Sequence, residues 1–72
     1  MAKDLLLVKF GKRVREERFR RELTQEALAG IAGLHRTYIG MIERGETNLT
    51  LTNLRKIAKA LNIKPSKLLE TL

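Results

Sequence analysis

Apolar residues recur along this chain at steps of three and four, the spacing that gathers them on one side of a helix, and nowhere alternate as a half-buried strand would. After Asp4, a side chain suited to capping a helix N-terminus, Leu7, Phe10 and Val14 form such a stripe. They predict a first helix ending around Arg20 and Arg21, with Leu6 and Leu23 joining its core. Thr24 predicts the cap of a second helix, with Glu26 in its first turn, Leu28 and Ile31 facing inward, and Ala29 and Ala32 small enough for another helix to pack close. Gly33 supplies a permissive backbone for a sharp turn, and Leu34 an apolar side chain to bury before the next element. A third helix follows over about residues 36–44, with Ile39 and Ile42 inward and Gly45 as its left-handed stop. Beyond a loop at 46–49, Thr50 opens a fourth helix with Leu51, Leu54, Ile57, Ala58 and Leu61 on its core face and Asn62 at its end. Pro65 fits the first turn of a short fifth helix over about residues 65–72.

The segment 24–45 is therefore two short helices joined by a turn of three or four residues, the spacing of a helix-turn-helix unit. At 100° per residue, positions 36, 37, 40, 41 and 44 share the face of the third helix opposite Ile39 and Ile42, and they are Arg, Thr, Gly, Met and Arg. Such a face can enter a DNA major groove. Arg36 at its N-terminal end can donate two parallel hydrogen bonds to guanine N7 and O6, worth ~1–3 kcal/mol of discrimination, or it can be a solvated or phosphate-bound arginine. Thr37 can place its methyl on thymine or lie on the backbone. Met41 can meet a base, or pack under Tyr38 in its own subunit.

The formal net charge is +7, which favours a polyanionic partner, and its distribution says more. Residues 1–23 carry eight basic and four acidic side chains, residues 24–50 two and three, and residues 51–72 five and one. A nearly neutral reading unit between two basic segments suits a protein that reads bases while its flanks hold phosphates. With no cysteine, disulfides, thiolate metal sites and cysteine nucleophiles are excluded. No nucleophile with a base, metal-ligand cluster or phosphate-cradling glycine loop is present, so an enzyme is not expected, nor any cofactor, metal or small-molecule ligand. The aromatics, Phe10, Phe19 and Tyr38, make no stacking platform for RNA. The leading Met-Ala-Lys-Asp runs into only four apolar residues, Leu5 to Val8, too few for a signal segment or membrane span, so a cytoplasmic protein is expected.

Phe10-Gly11, Arg18, Leu23-Thr24-Gln25-Glu26, Leu28-Ala29, Ala32-Gly33-Leu34, Tyr38-Ile39, Ile42-Glu43-Arg44-Gly45, Leu54, Ile57-Ala58 and Ala60-Leu61 together resemble the Cro/cI-type (XRE) helix-turn-helix regulators, over roughly residues 8–69. Among small members the chain is similar to the controller proteins of restriction-modification systems. The resemblance implies an all-α, lambda-repressor-like domain of five helices spanning 1–72, and a transcriptional regulator that binds a pseudo-palindromic operator as a homodimer. It implies base contacts at Arg36, Thr37 and Met41, and backbone contacts at Thr24, Gln25, His35, Tyr38, Arg44 and Asn48. It also implies a structural ion pair between Arg18 and Glu43. His35 stands where the family often has a capping serine or threonine, so a cap and a DNA contact are both open to it. Leu68, Leu69 and Leu72 exceed what so short a helix needs for itself and are expected at a dimer interface. RNA polymerase is a further partner compatible with promoter binding. The alternative is an antitoxin or protein-interaction module that uses the same fold to cover a partner protein.

Overall fold

Helix-capping side chains set most of the boundaries in the computed structural model, which describes residues 4–70 and Leu72. The lead-in at residues 1–3 and position 71 of the expected fifth helix lie outside the described residues. Among the described residues five helices follow one another: α1 (Leu5–Arg20), α2 (Gln25–Ala32), α3 (Arg36–Glu43), α4 (Leu51–Ala60) and α5 (Pro65–Leu68). The Asp4 carboxylate accepts from the Leu6 N–H at 2.9 Å, Thr24 Oγ1 from Ala27 at 3.0 Å and Thr50 Oγ1 from Asn53 at 3.0 Å, each satisfying a donor that its helix leaves unpaired. At the other ends, Gly33 and Gly45 both take φ +70°, and Asn62 φ 53°, the left-handed conformation in which a helix stops.

The core gathers Phe10, Val14, Leu28, Ala29, Ile39, Ile42, Leu54, Ile57, Ala58, Leu61 and Leu68, with Leu23, Leu34 and Tyr38 packed on its margin. α3 lies between α1 and α2, α4 packs on α2, and α5 closes the bottom against α4 and α1. Gly11 is what lets α1 and α3 meet backbone to backbone: a Cβ there would stand 2.1 Å from the Ile42 carbonyl oxygen. No helix among the described residues is long and apolar enough to cross a membrane.

Several expected core positions are not core. Ile31 is 61% exposed, because the buried face of α2 is centred on Leu28, Ala32 and Ala29 and Ile31 lies roughly 100° away from it. Leu51 and Leu6 are 83% and 54% exposed. Each precedes the first buried side chain of its helix, and the N-terminal tilt of helical Cα–Cβ bonds carries it off the end of the packed body. α5 is also shorter than expected: Leu68 is its last residue and is wholly enclosed by its own chain, so it is a core residue and cannot itself meet a second subunit. Leu69 and Leu72, beyond the helix, remain exposed at 39% and 40%.

Candidate nucleic-acid interface

Beneath the helix-turn-helix unit sits a buried charge pair. Arg18 presents its side-on fork to Glu43, Nε to Oε2 at 2.7 Å and Nη2 to Oε1 at 2.9 Å, while its Nη1 donates to the Leu23 carbonyl at 2.9 Å. Gln25 adds its amide nitrogen to Glu43 Oε1 at 3.1 Å. The hydrogen bond to Glu43 holds the Arg18 guanidinium more firmly protonated than a free arginine, against the opposing effect of burial. Phe19 covers the guanidinium with its ring 4.6 Å away, and Arg15 approaches the same ring at 5.3 Å. These bonds tie the last turn of α1, the start of α2 and the end of α3 into one unit. A buried pair of this kind adds little net stability over an apolar substitute, but losing one partner costs about 3–5 kcal/mol, so its effect is to hold those elements in a single arrangement.

α3 turns Ile39 and Ile42 into the core and leaves Arg36 and Thr37 exposed at its N-terminal end. His35 caps the helix: its Nδ1 accepts from the Thr37 N–H at 3.2 Å. An accepting Nδ1 places the proton of the neutral ring on Nε2, so the exposed imidazole also keeps a donor, and the two uses open to His35 are compatible. Met41 is half-buried. Gly40, expected on the open face, is buried: a Cβ there would meet Arg44 Nη1 at 3.0 Å and Gln25 Oε1 at 3.6 Å. Those two side chains lie across it, so Arg36 and Thr37 are the exposed positions of this face within α3, and over Gly40 the surface is formed by exposed Arg44 and half-buried Gln25. Arg44 is further held by Glu46, Nε to Oε1 at 3.0 Å.

The remaining positions are placed as follows. Tyr38 is half-buried, and its hydroxyl accepts from Asn53 Nδ2 at 3.0 Å, linking α3 to the first turn of α4. Thr24 is exposed with its hydroxyl engaged as the α2 cap. Asn48 is exposed in the loop before α4, its carbonyl accepting from the Thr47 hydroxyl at 3.3 Å. Leu69 and Leu72 follow α5, which packs on α1 and α4. Positive side chains flank the unit: Lys9, Lys12, Arg13 and Arg20 line a shallow groove with Glu16 on α1, and Arg55, Lys56 and Lys59 line another on α4.

Two contacts of this surface have no signal in the sequence. Arg36 is paired across the turn, its Nη1 donating to Glu26 Oε2 at 3.2 Å. The acidic first turn of α2 was legible as a helix-dipole partner, but the ten-residue separation carries no periodic signal. The Tyr38–Asn53 bond likewise has no local signature. Among the described residues, no group of three or more His, Cys, Asp or Glu side chains is placed to hold a metal ion. What the surface offers is hydrogen-bond donors and positive charge around the exposed N-terminal end of one short helix.

The helix-turn-helix family model HTH_3 matches residues 12–68. The control protein C.SmaI of Serratia marcescens is 57% identical over 56 residues, covering 78% of this chain and 67% of that protein. The control protein C.BamHI of Bacillus amyloliquefaciens is 48% identical over 62 residues, covering 85% and 76%. Among solved structures, the restriction-modification controller protein C.AhdI from Aeromonas hydrophila superposes with a TM-score of 0.85 at 52% identity, covering 86% of this chain and 94% of that one.

Proposed function

The chain belongs to the HTH_3 helix-turn-helix family, and from that membership we propose that it is a sequence-specific double-stranded DNA-binding regulator of transcription, acting as the controller of a restriction-modification system. The observation that carries the reading is the N-terminal end of α3, where Arg36 and Thr37 stand exposed while Ile39 and Ile42 anchor the same helix in the core. In this reading α3 enters the major groove, Arg36 reads guanine, and Thr37 and Met41 make apolar or polar contact with neighbouring bases. The backbone is held by Thr24, Gln25, His35, Tyr38, Arg44 and Asn48. His35 contributes its Nε2–H, and Gln25 the amide hydrogen that Glu43 does not take. Lys and Arg side chains of α1 and α4 supply the salt-dependent part of the affinity.

The residues 1–72 act as one domain, and two copies joined through Leu69 and Leu72 present their α3 helices about 34–36 Å apart, one turn of B-DNA, to a pseudo-palindromic operator. Such a dimer on its own promoter would make occupancy follow protein concentration, and would place it beside RNA polymerase in the cytoplasm. Binding of the wild type and Arg36→Ala to a duplex selected from a random pool, and to its scrambled counterpart, tests the reading across a salt series. Arg36→Ala is expected to remove about 1–3 kcal/mol of preference for the selected duplex, whereas charge removal on α1 or α4 flattens the salt slope. Equal losses on both duplexes would exclude Arg36 as a base reader.

A further inference from the structure

We propose that Glu26 is a positioning residue that sets the specificity of Arg36, holding its guanidinium so that a neutral base edge is accepted and a phosphate is rejected. The proposal rests on the reading of Arg36 as a base contact. Glu26 is the second residue of α2 and Arg36 the first of α3, and the two side chains are 76% and 66% exposed yet joined across the turn. A carboxylate on the edge that must approach a polyanion weakens every phosphate contact nearby. A favourable interaction with the α2 dipole explains an acidic residue in that turn, but not why it reaches the one arginine at the tip of α3.

The geometry of the bond supplies the reason. Glu26 accepts from Nη1 at 3.2 Å, and among the described residues Nε and Nη2 of Arg36 have no hydrogen-bond partner. That is the same side-on pair of parallel donors that Arg18 offers Glu43. Guanine N7 and O6 match it with two uncharged acceptors. A phosphate matches it equally well in shape, but brings its anionic oxygens toward the Glu26 carboxylate. The carboxylate also restricts an otherwise freely rotating side chain, so less rotamer entropy is lost when the base is met. Glu26 therefore lowers general affinity by its own charge and raises discrimination through Arg36.

A double-mutant cycle tests this with the wild type, Glu26→Gln, Arg36→Ala and the double variant, on the selected and the scrambled duplex. Glu26→Gln is expected to bind the scrambled duplex about two- to fivefold more tightly, the scale of one exposed ion pair, and to lose preference for the selected duplex by a similar factor. In the Arg36→Ala background the same change should alter both duplexes equally. If Glu26→Gln keeps the wild-type preference while Arg36→Ala loses it, the positioning proposal fails and Arg36 still reads a base. If Arg36→Ala also keeps the preference, the base-reading assignment itself fails. A loss of preference of equal size in both backgrounds would mean that Glu26 acts on DNA by itself, and weaker binding to both duplexes with a lowered melting temperature would make it merely structural; either result overturns the proposal.

Discussion

Glu17 shows how one side chain can be far more constrained than its position on a charged helix suggests. It is 3% exposed, and its carboxylate accepts from Arg21 at 2.7 Å, from Arg20 at 3.2 Å and from Arg13. Arg13 also reaches the Lys67 carbonyl at 3.5 Å, so the cluster joins α1 to α5. The hydrogen bond from Arg21, helped by the charges of Arg13 and Arg20, holds the Glu17 carboxyl below the usual glutamate range in spite of its burial. A carboxyl with a depressed native pKa binds fewer protons folded than unfolded. Its contribution is complete above the unfolded value of about 4.3 and is lost as pH falls from there through the lower native value. Glu17→Gln should therefore cost about 1–3 kcal/mol at neutral pH, because the buried amide would turn an NH2 donor toward arginine donors that the carboxylate oxygens accept from. Thermal melts of both chains between neutral and strongly acid pH should converge in that acid window; a constant gap would mean that the charge of Glu17 contributes nothing.

The helices of the reading unit, α2 and α3, are eight residues each, well below the roughly 12–15 at which isolated helices become stable in water, so they exist because they pack. Glycines divide accordingly. Gly30 lies inside α2, and among the described residues outside its own turn nothing stands within 4 Å of where a Cβ would be, so Gly30→Ala is expected to stabilise the domain by about 0.5–1 kcal/mol through helix propensity. Gly11 faces the Ile42 and Glu43 carbonyls, which are backbone and cannot rotate aside, and Gly11→Ala should cost about 1–3 kcal/mol as α1 is pushed from α3. Urea unfolding of the two variants reads both signs. Destabilisation by Gly30→Ala would show that α2 meets something at that position, and a neutral Gly11→Ala would show that the α1–α3 contact is not as close as described. The resemblance to a known family marked Gly11 as characteristic; its physical reason lies in a helix over thirty residues away.

At the scale of the whole molecule, the end of the chain separates two uses of leucine that look alike in the sequence. Leu68 is enclosed, so its truncation acts on stability; Leu69 and Leu72 are half-covered and leave apolar surface beside α5. If that surface is the dimer contact, Leu69→Lys leaves a folded monomer by sedimentation equilibrium, with thermal stability near that of the wild type at equal protomer concentration once the dimer contribution is subtracted. Binding to a palindromic duplex should then fall toward that of a half-site, since the second α3 is no longer carried with the first. A Leu69→Lys chain that still sediments as a dimer would move the interface elsewhere, with the exposed Ile31 and Leu51 the next surfaces to alter.

Taken by itself, the order of residues determined the five helices, the caps of α1, α2 and α4, the left-handed stops at Gly33, Gly45 and Asn62, and the presence of a helix-turn-helix unit. All of these depend on neighbours within a few positions, where backbone dihedrals and i to i+4 spacing decide the outcome. The family motifs reached further, to Arg18 and Glu43, twenty-five residues apart. Only the tertiary structure decided that Ile31, Leu51 and Leu6 face water, that Leu68 is core, that Arg44 and Gln25 lie across Gly40, and that Glu26 holds Arg36. Periodicity says which side chains share a face of a helix. Whether that face meets another helix, runs off its end, or is crossed by a long side chain from elsewhere is set by how the helices are placed, and no local spacing encodes it.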